Sequence, residues 1–370
     1  MLYLDNAATS RRKPYSVYAA MLKYLFLGGN AGRGSNSLSL GGINTMISAQ
    51  ESLAKLFNVR DESNIVFTHN ATYALNMAIL GALSPNDNIV VTAMDHNSVL
   101  RPAALHGDFS VADADRIGYV SPLAVRRKIK SNTKLVVCTH ASNVCGTMQP
   151  VKEIARIAHD NNALFLLDAS QTAGSTDIDM ADINADILAC PGHKGLLGPM
   201  GTGILCIKDP EKIKAVIVGG TGSESEMLSQ PSDMPDKFHS GTLNMPAVAG
   251  LKKGVDFILK TGAQNIGDHE RRLNMMFRDA LMEMDNIKIY GRCDTGITAF
   301  NIDGIPAEEC AQMLGSNTIV RAGYHCAPLA HKALGTDNGG AVRVSLGYFN
   351  TVADVRKIID LVFKIARNNI

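Results

Sequence analysis

The chain has 370 residues, enough for one large domain and a smaller one, and its 46% hydrophobic and 19% charged content is typical of a soluble globular protein. A net charge of +1 without a dense basic run gives no support for binding to nucleic acid or to an acidic membrane. No apolar run approaches the roughly 18 residues of a membrane helix, and the first residues lack a signal-peptide pattern. The seven cysteines form no Cys-x-x-Cys pair, so we expect free thiols in a reducing cytoplasm and no metal site.

The N-terminal part is predicted to begin with a short strand at Tyr3 that passes into small residues up to Thr9. Small side chains leave room for a ligand, but they are equally common in plain turns. Apolar spacing predicts helices over residues 14–27 and 43–57. The segment between them, residues 28–36, is rich in glycine and either folds over a site or serves only as a mobile connection.

Short apolar runs then alternate with helical patterns. The predicted strands of this part cover residues 65–67, 88–92, 135–138, 163–167, 187–189 and 203–207. Near-continuous apolar runs are typical of strands that are covered on both faces of a parallel sheet. The repeated β-then-α order therefore predicts a doubly wound α/β domain that binds ligands at the carboxyl ends of its strands.

Polar residues stand at these predicted strand ends. After the predicted strand over residues 65–67, the backbone amides at the start of a helix and the hydroxyl of Thr72 make an anion site. The alternative is that Asn70 or Thr72 only caps the helix. His96 either stacks on a planar cofactor ring or is an ordinary loop histidine. Asp168 is placed to pair with a protonated pyridine nitrogen, with Gln171 near a ring substituent, or it caps a helix.

A lysine between glycines follows the run 187–189. Leu196, Leu197 and Pro199 would partly desolvate Lys194, which disfavours the charged amine and makes it a better nucleophile. The chemistry that needs such an amine is a Schiff base to a carbonyl cofactor, pyridoxal phosphate first among them. The alternative is a surface lysine in a glycine turn.

The C-terminal part is predicted to be a smaller α+β unit. We predict a large domain of residues 15–255 and a small domain of residues 1–14 and 256–370. The small domain contains a predicted strand over residues 319–321 and a loop with Cys326 beside His325, where the thiol is either reactive or inert. Arg343 lies in an apolar strand and must meet an anion, either a substrate carboxylate or a structural Asp or Glu.

Together, these motifs resemble those of the fold-type I pyridoxal-phosphate enzymes of class V aminotransferase type, and within them the cysteine desulfurases. The resemblance covers nearly the whole chain and rests on residues 3–9, 70–72, 96–101, 142–144, 168 with 171, 192–194, 241–244, 321–327 and 343–351. Residues 321–327, Arg-x-Gly-x-His-Cys-Ala, are similar to the version with a catalytic cysteine in a short, ordered loop. The implied fold is a large, mostly parallel, seven-stranded sheet domain with a smaller α+β C-terminal domain.

The resemblance also implies roles. Lys194 forms the Schiff base and moves the Cα proton, Asp168 pairs with the pyridine nitrogen, and His96 stacks on the ring. Cys326 attacks the substrate sulfur and becomes a persulfide. The residues implied in cofactor binding are Ala71, Thr72, His193, Asn143 and Gln171, with Thr242 reaching the phosphate from the neighbouring subunit of a homodimer. Those implied in substrate binding are Arg343, Asn143 and Ala8.

The implied reaction converts L-cysteine to L-alanine and a persulfide, for transfer to a sulfur-acceptor protein as in iron–sulfur cluster assembly. Three alternatives stay open: a selenocysteine lyase acting on L-selenocysteine, a related amino-acid lyase or epimerase, and a partner-dependent sulfur-relay protein. Four residues depart from the family pattern, and they put substrate preference in doubt. They are Asn36, Ser170, Cys190 and His239.

Overall fold

A computed structural model describes residues 1–31 and 36–367, so part of the predicted loop over 28–36 lies outside the described residues. The described helices are α1 (Tyr15–Leu27), α2 (Ser37–Phe57), α3 (Ala71–Ala82), α4 (Asn97–His106), α5 (Pro122–Arg126), α6 (Val151–Asp160), α7 (Met180–Ile183), α8 (Met245–Thr261), α9 (Ala263–Leu281), α10 (Ala307–Met313), α11 (Pro328–Leu334) and α12 (Val352–Arg367). Within this part of the chain, no helix has both the length and the apolar character needed to cross a bilayer.

The strands in the described part of the chain form three sheets. They are β1 (Leu2–Tyr3), β2 (Ile65–Thr68), β3 (Asn88–Thr92), β4 (Phe109–Ala112), β5 (Thr133–Thr139), β6 (Leu164–Asp168), β7 (Ile187–Pro191), β8 (Gly203–Ile207), β9 (Ile287–Tyr290), β10 (Ile297–Ile302), β11 (Thr318–Ile319), β12 (Arg321–Gly323) and β13 (Ala341–Ser345). The described residues also contain two single-turn 3₁₀ helices, Glu62–Asn64 and Pro210–Lys212.

The large sheet has seven strands in the order β2-β8-β7-β6-β5-β3-β4. β8 pairs antiparallel with both of its neighbours, and the other pairs are parallel. Successive residues point to opposite faces, so Val136 packs in one buried cluster and Val137 in another. This two-sided burial explains the continuous apolar runs and confirms the predicted fold. Sequence analysis did not predict β4, a half-exposed edge strand.

The C-terminal sheet is antiparallel, with the order β12-β13-β10-β9, and a separate two-stranded parallel sheet joins β1 to β11. The prediction of a single strand over 319–321 is wrong. Ile319 belongs to β11 of the two-stranded sheet, and Arg321 belongs to β12 of the C-terminal sheet. Leu4 from the N-terminus packs in the same buried cluster as Phe277 and Phe300. The bounds of the two domains stay a prediction.

Candidate active site

A cavity of about 510 Å³ lies at the carboxyl ends of the central parallel strands. β5 and β6 end side by side, with Thr139 opposite Asp168, and Asp168 in turn pairs with Ala189 of β7. Most of the predicted site residues line this cavity, namely Ala71, Thr72, His96, Asn143, Asp168, Gln171, His193 and Lys194. The topology therefore brings together residues that lie up to 123 positions apart.

Lys194 lies three residues beyond the end of β7. Burial of its amine lowers the pKa of Lys194 to about 8, while the negative charge of Asp168 acts in the opposite direction. Desolvation thus outweighs the attraction of the carboxylate. A neutral amine is consequently accessible near neutral pH, as a carbonyl-binding lysine requires.

Asp168 is buried with only 2% of its surface exposed. Its Oδ1 accepts a hydrogen bond from the Ser170 backbone N–H at 2.9 Å. A buried carboxylate is costly unless it is paired, and one amide leaves most of its lone pairs available to a cationic ligand. Ser170, one of the departures from the family pattern, serves here through its backbone.

The start of α3 supplies an anion site. Asn70 caps the helix by accepting from the Tyr73 backbone N–H at 3.0 Å, so the capping alternative applies to Asn70. The preceding amides of Ala71 and Thr72 have no intrahelical acceptor, and the helix dipole adds positive potential there. The hydroxyls of Thr72 and Ser98 lie 2.8 Å apart beside them.

Two neutral imidazoles border the same cavity. His96 caps α4, and its Nδ1 accepts from the Ser98 backbone N–H at 3.0 Å, which places the proton of the neutral ring on Nε2. Burial, followed by the charge of Lys194, lowers the pKa of His96. Burial likewise lowers the pKa of His193 to about 4, and Nδ1 of His193 lies 3.0 Å from Thr9 Oγ1.

Arg343 is paired within the protein. Its Nη2 donates to Asp5 Oδ1 at 2.6 Å and its Nη1 donates to the Asn143 carbonyl oxygen at 2.8 Å. Both side chains of the ion pair are buried. Nε of Arg343 is buried without a hydrogen-bond partner among the described residues. Arg343 therefore pairs with a structural aspartate, and its Nε–H is still available to a further anion.

Cys326 is exposed and lies on the loop between β12 and α11. Its carbonyl oxygen accepts from the Asn97 backbone N–H at 2.8 Å, at the start of α4. The preceding carbonyl, that of His325, accepts from Asn143 Nδ2 at 2.7 Å. These two bonds connect the loop that carries Cys326 to the start of α4 and to Asn143, which lines the cavity.

Four predicted site residues do not line either of the two cavities beside Lys194: Cys326 and Arg343, whose contacts are given above, and Thr242 and Ala8. Thr242 is exposed and lines a different cavity, together with His239. Ala7, rather than Ala8, lines the second cavity that adjoins Lys194, and its carbonyl oxygen accepts from Gln171 Nε2 at 3.3 Å.

The other departures from the family pattern have structural roles. Asn36 caps α2 by accepting from the Ser39 backbone N–H at 2.9 Å. His239 is buried, which lowers its pKa to about 4, and its neutral Nε2 accepts from the Phe67 backbone N–H at 2.9 Å. Cys190 is a fully buried residue of β7.

Sequence analysis gave no role to two acidic residues. Asp5 is the partner of Arg343, at a separation of 338 positions. Asp95 is fully buried and accepts from the backbone N–H groups of Thr92 at 2.6 Å and Thr139 at 2.7 Å. It thereby joins the ends of β3 and β5. Their occurrence inside polar motifs at strand ends was the available signal.

The class-V aminotransferase family model matches residues 2–358. The chain therefore belongs to the class-V aminotransferase family. A probable cysteine desulfurase of Methanothermobacter thermautotrophicus is 35% identical, over 99% of this chain and 94% of the relative. One of Halalkalibacterium halodurans is 33% identical, over 96% and 90% of the two chains. The solved apo structure of a cysteine desulfurase from Thermococcus onnurineus is 29% identical, with a TM-score of 0.93 over 99% of this chain and 95% of that one.

The predicted resemblance to the cysteine desulfurases of the class-V family is thus confirmed. Class-V aminotransferases depend on pyridoxal phosphate, which is the cofactor of this chain. The residues present fit that group: a buried carboxylate suits a pyridinium, free helix amides suit a phosphate, and a lysine of lowered pKa suits an aldehyde.

Proposed function

We propose that this protein is a cysteine desulfurase that converts L-cysteine to L-alanine and leaves a persulfide on Cys326. The observation that carries the proposal is the attachment of an exposed thiol to the cofactor cavity through the bonds of Asn97 and Asn143. Names of relatives agree with this activity.

The proposed division of labour follows from the geometry. Asp168 would hold the pyridinium, the start of α3 with His193 would hold the phosphate, and His96 would cover the ring. Bound pyridoxal phosphate supplies an electron sink for the charge that develops at Cα of the substrate. Lys194, whose pKa burial lowers to about 8, would accept and return the proton at that carbon.

Arg343 would bind the substrate carboxylate through Nε, which makes no hydrogen bond within residues 1–31 and 36–367. Asn143 would position both Arg343 and the cysteine loop, because its carbonyl oxygen meets the guanidinium and its side chain meets His325. This arrangement assigns Asn143 a positioning function as well as its predicted contact with the ring oxygen and the substrate.

The sulfur transfer is balanced without an external oxidant. The Cys326 thiolate attacks the substrate sulfur, so an S–S bond forms while the Cβ–S bond of the substrate breaks. The electron pair of the broken bond passes to carbon, which takes up a proton and gives the methyl group of alanine. A soft thiolate is well suited to attack at sulfur.

The test is to give L-cysteine and a reductant to the cofactor-loaded protein beside a Cys326→Ser control. We expect alanine and sulfide in equal amounts, and neither from the control. Pyruvate or a racemised amino acid would instead indicate a lyase or epimerase. Cleavage of L-selenocysteine by the control would favour a selenocysteine lyase, and turnover only after addition of an acceptor protein would favour a sulfur-relay protein.

We propose in addition that the protein is a homodimer. Large apolar side chains on α1 are exposed, with Tyr15 at 84% and Phe26 at 83%, and Leu228 is fully exposed. Several exposed apolar side chains on one helix favour a protein partner, and Thr242 lies outside the cavity that Lys194 and Asp168 line. Light scattering should give twice the mass of one chain. A monomer that binds pyridoxal phosphate normally would contradict the predicted role of Thr242.

The proposed location is the cytoplasm, since all seven cysteines are free thiols. The sulfur would pass from Cys326 to an acceptor protein, for which the exposure of the thiol is a precondition.

A further inference from the structure

Three buried side chains, those of His325, His331 and Thr336, form a row of polar contacts that begins in the loop carrying Cys326. Nδ1 of His325 lies 3.1 Å from Nε2 of His331, and Nδ1 of His331 lies 2.7 Å from Thr336 Oγ1. The two imidazole rings are nearly parallel, at 18°, with centroids 5.3 Å apart. All three side chains are buried, and that of His331 is 0% exposed.

The backbone of His325 and Cys326 needs such support. Both residues are in the left-handed region, with φ of 48° and 57°, and neither is glycine. Consecutive left-handed residues with a Cβ are disfavoured and persist only where surrounding contacts fix them. Two of these contacts are the carbonyl bonds to Asn143 and Asn97.

The imidazole of His325 has one hydrogen-bonded side-chain partner. Its Nε2 is buried and makes no hydrogen bond among the described residues, although the Arg321 carbonyl lies nearby. Burial lowers the pKa of His325 to about 2 and that of His331 to about 4, so both rings are neutral. Each ring then has one donor and one acceptor, and His331 uses both of its nitrogens in this row of contacts.

We propose that His331, anchored by Thr336, is a positioning residue that holds His325 and thereby fixes the orientation of the Cys326 thiol for attack on the substrate sulfur. The inference rests on the proposed function, in which Cys326 accepts sulfur. His331 lines neither of the two cavities beside Lys194, so it acts through the loop that carries Cys326. Its loss should slow sulfur transfer without weakening the binding of an amino acid to the cofactor-loaded protein.

The experiment compares the cofactor-loaded parent with His331→Phe, Thr336→Val and Thr336→Ser. Two quantities are measured: the rate at which the Cys326 peptide gains one sulfur after L-cysteine is added, by mass spectrometry, and the affinity for L-alanine, from the visible spectrum. We expect His331→Phe to slow persulfide formation at least tenfold and Thr336→Val to slow it severalfold. Thr336→Ser, which keeps the hydroxyl, should restore the parent rate, and L-alanine affinity should stay within twofold throughout.

The inference would be overturned if both His331→Phe and Thr336→Val formed the persulfide at the rate of the parent. It would also be overturned if the variants lost L-alanine affinity in parallel with the rate, because that result indicates a general structural role. If His331→Phe does not fold, the comparison of Thr336→Val with Thr336→Ser decides the matter by itself. Failure of the proposed function is distinguishable, because Cys326→Ser would then retain full production of alanine.

Discussion

The lowered pKa of Lys194 leads to a quantitative prediction for cofactor uptake. Desolvation brings the pKa from the ordinary 10.5 to about 8. At pH 7 the neutral fraction of the amine is then about 10% instead of about 0.03%, a gain of roughly 300-fold. Since the neutral amine attacks the aldehyde, protein stripped of cofactor should reload about fivefold faster at pH 8 than at pH 7, about twofold faster again at pH 9, and at a nearly constant rate above pH 9.

The assay is stopped-flow recovery of the visible absorption band between pH 7 and pH 10 at fixed pyridoxal phosphate. Asp168→Asn removes the charge that raises the pKa of Lys194, so the plateau should begin at lower pH. Lys194→Ala should show no band of lysine-bound cofactor at any pH. A parent rate that still rises about eightfold between pH 9 and pH 10 would refute the reasoning, because the amine would then have its ordinary pKa of 10.5.

Two further predictions concern the departures from the family pattern. His239→Phe keeps a ring beside Phe67 but removes the acceptor of the buried Phe67 backbone N–H. Urea denaturation should therefore show a loss of ~1–3 kcal/mol in the free energy of unfolding. An unchanged midpoint would contradict this role of His239. Asn36→Ala removes the cap of α2 and should cost ~1 kcal/mol by the same measurement, whereas Asn36→Asp should cost less than half as much.

The strand-end residues could be predicted from sequence because their placement follows from local rules. Asp168 and Lys194 each follow an apolar run, and parallel strands deliver such residues to one edge of the sheet. The same reasoning located His96 and the start of α3. These residues lie on one α/β layer, in which chain order and spatial order are linked.

Contacts between distant segments could not be predicted in this way. The Asp5–Arg343 pair joins the first residues to β13, and no spacing rule connects positions 338 apart. Arg343 required an anion, but its identity depended on how β1 and β11 position the N-terminus. The division of residues 319–321 between two sheets has the same origin, since apolar pattern does not specify which partner a strand selects.

The Asp5–Arg343 pair also raises a question of competition, which one substitution can resolve. A substrate carboxylate bound at Nε of Arg343 would lie beside the buried Asp5, and like charges repel strongly where water is scarce. Asp5→Asn keeps the shape and an acceptor for Nη2 but removes the charge. We therefore expect L-alanine to bind about tenfold more tightly to the variant, in titrations that follow the visible spectrum of the loaded protein.

Cysteamine provides the matched control, because it has the amine and the thiol of L-cysteine but no carboxylate. Its affinity should be the same for the parent and for Asp5→Asn. The variant should also be less stable in urea, by less than the ~3–5 kcal/mol that is typical when a buried ion pair loses one partner, since the asparagine oxygen still accepts from the guanidinium. If L-alanine binds no more tightly, or if both ligands change equally, the charge of Asp5 does not compete with the substrate carboxylate.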